Sequence, residues 1–208
     1  MLRRPIVTLW IVASLCASPL LVGCGDDGTG PPPPPPPPPP SLVEQGWEAF
    51  ENGDFFVAAN KFQQAITDDP ANAEARDGFG WSSLKLGNLQ DAQTSFDEAL
   101  VNGFAGADPH VGRAIVLRDI SPPDFTAAID AAGAALAIDS VYQFAHDTEL
   151  DWRDVRLVLA QSHFALSAYD QANAQVGLLG GNMQNPASTT FVADLLAEIE
   201  RLGVLFGG

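Results

Sequence analysis

The chain has 208 residues, a mass of 22.0 kDa and a formal charge of −16. That length suits one or two domains, and the acidic balance argues against nucleic acid as a partner and against a basic patch as a membrane anchor. Its two cysteines, Cys16 and Cys24, both precede residue 25, so the rest of the chain holds no disulfide scaffold, Cys-ligated zinc, thiol nucleophile or CxxC redox pair.

Residues 1–23 read as a targeting peptide. Arg3 and Arg4 give a short positive start, Pro5 to Val22 is almost wholly apolar, and Gly23-Cys24 follows. Leu21-Val22-Gly23-Cys24 resembles the lipobox of bacterial lipoproteins. The resemblance implies cleavage before Cys24 and a diacylglyceryl group on its sulfur. The alternatives are an uncleaved anchor or an ordinary cleaved signal. Against the anchor stand Pro19 and the Asp26-Asp27 pair just beyond the run. Two acyl chains on one cysteine would satisfy the need for more than one lipid chain. Gly25, rather than Asp, after the cysteine favours the outer membrane, facing the periplasm.

Residues 24–41 form a tether. Asp26 to Gly30 is a flexible acidic swivel, and residues 31–40 are ten consecutive prolines. Proline fixes φ and lacks an N–H, so the run predicts a polyproline II rod of roughly 30 Å. A docking strip for a proline-reading domain is the alternative.

Residues 42–208 are the folded part, and they repeat. Shifted by 34 residues, 46–65 falls onto 80–99 and seven positions match in kind. Gly46 meets Gly80, Trp47 meets Trp81, Gly53 meets Gly87, Phe55 meets Leu89, Ala58 meets Ala92, Phe62 meets Phe96 and Ala65 meets Ala99. The period and the Ala58-x-x-x-Phe62 and Ala92-x-x-x-Phe96 pattern resemble the tetratricopeptide repeat (TPR), a pair of antiparallel helices. Gly46 and Gly80 are expected where the two helices of a pair cross closely. Gly53-Asp54 and Gly87-Asn88 make the interhelix turns, with Asp or Asn capping the next helix. Pro70 stops the second helix. The chain departs from the family pattern in places. Leu42 and Arg76 stand where the family has Trp, and Gln45 and Phe79 where it has Leu. Ala49 and Ser83 stand where it has Tyr, and a Gly-rich loop from Asn102 to Asp108 replaces the second closing Pro.

Two looser units follow. Asp108-Pro109 opens a helix through Asp119, Ser121 to Asp124 turns the chain, and Phe125 to Ile138 is the next helix. The fourth unit runs from Asp151 to about Leu179, with Tyr169 and Ala172 in the places of Phe55 and Ala58. About ten extra residues, around Ser140 to Leu150, separate it from the third. Thr189 to Leu202 has helical apolar spacing and reads as a capping helix. The expected fold is all-α: a short right-handed superhelix of about four TPR-like helix pairs plus a C-terminal cap.

Chemistry-bearing motifs are sparse. His110, His146 and His163 are not spaced as metal ligands, and HExxH, GxSxG, a phosphate loop and a dinucleotide fingerprint are missing. His163 is expected in the core and His110 solvated at a helix start. Asp147-x-Glu149-x-Asp151-x-x-Asp154 superficially resembles a calcium loop, but Trp152 and Val158 stand where the glycine and glutamate belong. Asp151 as a helix N-cap, with Asp154 in the first turn, accounts for most of that cluster. Gly177 to Gly181 reads as a helix end. Nothing calls for a cofactor or a metal.

The TPR resemblance implies a groove lined by the first helix of each pair, holding an extended peptide or a partner helix. Trp47, Phe50, Trp81, Leu84, Gln161 and Phe164 correspond to groove-lining places. The alternative is that Trp47 and Trp81 pack inside the array. The expected function is a non-catalytic scaffold, membrane-anchored through Cys24 in the bacterial cell envelope. Its partner is expected to be an envelope protein or peptide segment, neutral or basic. The other class is a small-ligand or metal receptor, or an enzyme, using the acidic insert 139–154.

Overall fold

Helix formation starts where the proline run ends. Ser41 caps the first helix: its Oγ accepts from the Glu44 N–H at 3.2 Å, and the Glu44 carboxylate accepts from the Ser41 N–H at 2.6 Å. Residues 38–206 are described by the computed structural model. The targeting peptide, Cys24 and most of the tether lie outside the described residues.

Nine helices follow one another among the described residues: α1 (Leu42–Glu51), α2 (Phe55–Asp68), α3 (Ala73–Lys85), α4 (Leu89–Val101), α5 (Asp108–Asp119), α6 (Phe125–Ile138), α7 (Trp152–Ala165), α8 (Tyr169–Leu178) and α9 (Phe191–Phe206). Consecutive helices through α8 pack as antiparallel pairs. In addition α1 touches α3, α3 touches α5 and α5 touches α7, whereas α2, α4, α6 and α8 make no such contacts with one another. The odd-numbered helices therefore form the inner layer of a superhelix and the even-numbered ones its outer layer. The cap begins two residues later than the sequence suggested and runs four residues further. It seals the array by burying Phe191, Leu195, Ile199 and Leu202 against α7 and α8.

The repeat register has a steric cause. Phe62 and Phe96 are fully buried. A Cβ on Gly46 would lie 2.6 Å from the Phe62 ring, and one on Gly80 would lie 2.7 Å from the Phe96 ring. Each ring also presses on the next unit. Cβ atoms on Gly78 and Gly112, themselves 34 residues apart, would come within 2.4 Å of Phe62 and 2.2 Å of Phe96. Each Phe is thus wedged between a glycine of its own pair and a glycine of the following one.

The turns after α1 and α3 place Gly53 and Gly87 at φ of +80° and +78°. Asp54 and Asn88 do take N-cap positions, but their side chains make no capping hydrogen bond, contrary to expectation. Only their carbonyls serve, accepting from Ala58 and Ala92 N–H. Asp124 is a working cap, accepting from the Ala127 N–H at 2.9 Å. Asp151 is another: its carboxylate accepts from the Arg153 N–H at 2.7 Å, and the Asp154 carboxylate accepts from the Asp151 N–H at 2.8 Å.

Candidate partner-binding face

The insert between α6 and α7 decides what the inner face presents. Residues 139–151 form a strap, a hairpin-like loop closed by one antiparallel bridge between Gln143 and Asp151. Its backbone bonds join Trp152 N–H to the Tyr142 carbonyl at 2.8 Å and Phe144 N–H to the Leu150 carbonyl at 3.0 Å. The outgoing arm is extended, so side chains alternate. Val141, Gln143 and Ala145 face solvent, whereas Tyr142 and Phe144 are buried and His146 is half-buried.

Those three inward side chains cross the inner helices in order. The Tyr142 hydroxyl donates to the Asp108 carboxylate on α5 at 2.8 Å. The Phe144 ring stacks on Trp81 of α3, with centroids 4.4 Å apart, and meets Trp47 and Phe50 of α1 edge-on at about 6 Å. His146 lies flat on Trp47 at 3.7 Å and its Nδ1 is 2.8 Å from the Glu51 carboxylate. Lys85 holds Asp147 at 2.8 Å.

The groove-lining places of Trp47, Phe50 and Trp81 are therefore not open, and of the two readings for the tryptophans the structure takes packing inside the array. Trp47, Phe50 and Trp81 are 7%, 3% and 1% exposed, because the strap lies over them. They do sit on the inner helices, as their register required, but Phe144 occupies the space they bound. The remaining groove-lining places divide. Leu84 is half-buried and lines an open cleft; Gln161 is half-buried and accepts from Arg118 Nη1 at 2.8 Å; Phe164 packs on Tyr169 with centroids 5.2 Å apart. His110 is half-buried rather than solvated, and burial and the nearby Arg113 hold its ring below the ordinary histidine range. Burial does the same to half-buried His163.

The open cleft has a volume of about 290 Å³ and lies between the strap and α3, α5 and α7. Trp81, Leu84, Ile115, Leu157 and Val158 make its apolar floor. Lys85, Arg118, Asp119, Asp147, Glu149 and Asp154 make a rim of both signs. Burial raises the Asp154 carboxyl above the ordinary range, partly offset by the hydrogen bond from its capping partner. The carboxylates that resemble a calcium loop do not converge. Asp147 binds Lys85, Asp151 and Asp154 cap α7, and among the described residues no three His, Cys, Asp or Glu groups are placed to share a metal.

Beneath the strap lies a group that sequence reasoning missed. Asp77 on α3 is 1% exposed, and neither carboxylate oxygen has a hydrogen-bond partner. Burial pushes its carboxyl well above the ordinary range; Asp108 and then Glu74 push the same way, against a smaller opposing pull from the Trp81 indole. Glu74 in turn accepts from Trp47 Nε1 at 3.3 Å. The only signal in the sequence was an Asp one residue before the close-packed Gly78, inside the inner helix.

This layered array of helix pairs defines a class, the TPR-like superhelix. No protein-family model matches the sequence, and no curated protein sequence does either. Among solved structures the chain is similar to YrrB, a TPR protein with an unusual peptide-binding site, at a TM-score of 0.58 and 15% identity over 79% of this chain and 75% of that one. It is similar to MamA at 0.56 and 19% identity, over 80% and 86% of the two chains. A thermophilic TPR protein of Thermus thermophilus gives 0.52 and 16% identity over 78% and 80%. At these identities the likeness is one of fold.

Proposed function

We propose that this chain is a non-catalytic scaffold of the bacterial cell envelope, tethered by a lipid on Cys24 and holding another protein on its inner face. The observation that carries the reading is the open cleft, an apolar floor rimmed by Lys85 and Arg118 among four carboxylates, on the layer formed by the first helix of each pair. Such a surface suits a segment with an apolar anchor and polar flanks. YrrB, similar in fold, is a TPR protein with a peptide-binding site, which supports a peptide-like occupant here. The lipobox-like Leu21 to Cys24 and the proline run support attachment and reach, with the outer membrane facing the periplasm as the favoured site.

The test is capture from detergent-solubilised envelopes with variants on two faces. Leu84→Glu and Arg118→Glu should abolish capture. Phe56→Ser, at a position 71% exposed on the outer helix α2, should leave it intact. Capture that survives both cleft variants, or that Phe56→Ser also removes, would sink the reading. The cleft also borders the acidic insert, which keeps a small ligand or metal as a second reading; a large rise in melting temperature with a divalent ion would favour it.

A further inference from the structure

The strap is bound in the way an external peptide would be. Its arm is extended, it inserts every second side chain, and it runs across α5, α3 and α1 by Tyr142, Phe144 and His146. Among the described residues no backbone hydrogen bond joins it to any of those three helices. Its backbone bonds are internal to the loop or run to α6 and α7 at its two ends, so the arm is held on α1, α3 and α5 by side chains alone. Its departure would break no helical hydrogen bond and would uncover a seat made of Trp47, Phe50 and Trp81.

The seat has its own chemistry. Two indoles and a phenyl ring surround the place of Phe144, so an aromatic side chain is preferred there. Glu51 and the face of Trp47 bracket the place of His146, an arrangement that suits a cation. Glu74, Asp77 and Asp108 line the same layer, and the strap brings them only the Tyr142 hydroxyl and the histidine. We propose that residues 141–147 are an internal ligand, and that the seat they fill binds an extended segment of a protein partner with the pattern aromatic-x-aromatic-x-basic, entering as the strap leaves. The proposal rests on the inner face being the partner surface, and extends it from the open cleft to the covered seat.

The experiment uses the full chain and a labelled synthetic peptide, Val-Tyr-Gln-Phe-Ala-His-Asp, identical to residues 141–147. In one variant those seven positions are replaced by alternating Gly and Ser at constant length. A tethered competitor acts at about millimolar effective concentration, so the variant should bind the peptide about a hundredfold more tightly than the unaltered chain. Alanine at the Phe144 place of the peptide should weaken binding by about tenfold or more. Arginine at the His146 place should tighten it several-fold, in a way that salt reverses. If the strap-replaced chain is unfolded on its own, titration with the peptide should restore its helical circular dichroism, and that rescue is equal support. Equal binding by both chains overturns the proposal, as does a peptide that neither binds nor refolds the variant. Phe56→Ser, on the outer helix α2, should leave peptide binding unchanged. A partner lost on Leu84→Glu or Arg118→Glu, with no peptide binding at the seat, would leave the scaffold reading standing and remove this one.

Discussion

At the scale of single residues, the turn after α7 breaks the repeat's own rule. Gly53 and Gly87 take positive φ in the equivalent turns, whereas Ser167 holds φ of +60° with a Cβ. The left-handed conformation costs an L-residue roughly 1–2 kcal/mol, and glycine forfeits part of that gain through unfolded-state entropy. Ser167→Gly should therefore stabilise the protein by about 0.5–1 kcal/mol in denaturant unfolding. Asp77 gives a second prediction. Its carboxyl is raised in the folded state, chiefly by burial, so the folded chain keeps a proton that the unfolded chain gives up. That contribution to stability is fully present below the unfolded carboxylate range and is lost as pH rises through the folded value. Asp108 is raised by burial in the same direction, although the Tyr142 hydroxyl and His146 oppose it. Melting temperatures should thus decline as pH rises from the ordinary carboxylate range through the raised folded value, and Asp77→Asn should flatten that decline. An unchanged slope would mean that Asp77 is ionised and paired in solution.

At the scale of the element, the same substitution should have opposite signs on two helices. Gly78 lies on the inner helix α3, where a Cβ would meet the Phe62 ring at 2.4 Å. Gly133 lies on the outer helix α6, where a Cβ would meet nothing within 4 Å. Gly133→Ala should stabilise by about 0.5–1 kcal/mol through helix propensity alone. Gly78→Ala gains the same propensity but overpacks a junction where such changes cost about 1–3 kcal/mol, so its net effect should be a loss. The two variants can be compared in one urea series. The cap supplies a further prediction. Glu198 on α9 is 8% exposed at its side chain, accepts from Asn182 N–H at 2.7 Å and binds Arg201 through two bonds of 2.7 Å. The Arg201 guanidinium pulls its carboxyl down to about 2. Glu198→Ala leaves the Asn182 N–H without this acceptor and should cost about 2 kcal/mol, loosening the cap before the rest of the array in hydrogen exchange.

At the scale of the whole molecule, one hydrophobic cluster runs from α1 to α7 and a second joins α7, α8 and α9. The strap contributes Tyr142 and Phe144 to the first, so a segment that sequence reading treats as spacing is part of the core. The proposed lipid attachment belongs to Cys24, outside the described residues. Cys24→Ala should abolish lipid labelling and stop processing after Gly23, as read by metabolic labelling and membrane fractionation; continued cleavage and membrane retention would disprove the lipid anchor.

The helices themselves were legible in the sequence, because their signals are local or periodic. Glycines at the turns, Pro70 and the Asp151 cap act within a turn or two of where they stand, and the alanines and phenylalanines act on neighbouring helices but recur at a 34-residue period. The α6 helix, Phe125 to Ile138, follows its predicted span residue for residue. Tertiary structure alone decided which face those helices leave open. Trp47 and Trp81 read as groove-lining or as packed inside the array, and Phe144 reaches them from 97 and 63 residues further along the chain. No periodicity announces such a contact, because the strap lies outside the repeat. The same holds for Asp77: its position on α3 could be read from the register, but its burial near Asp108 of α5 comes from packing between helices.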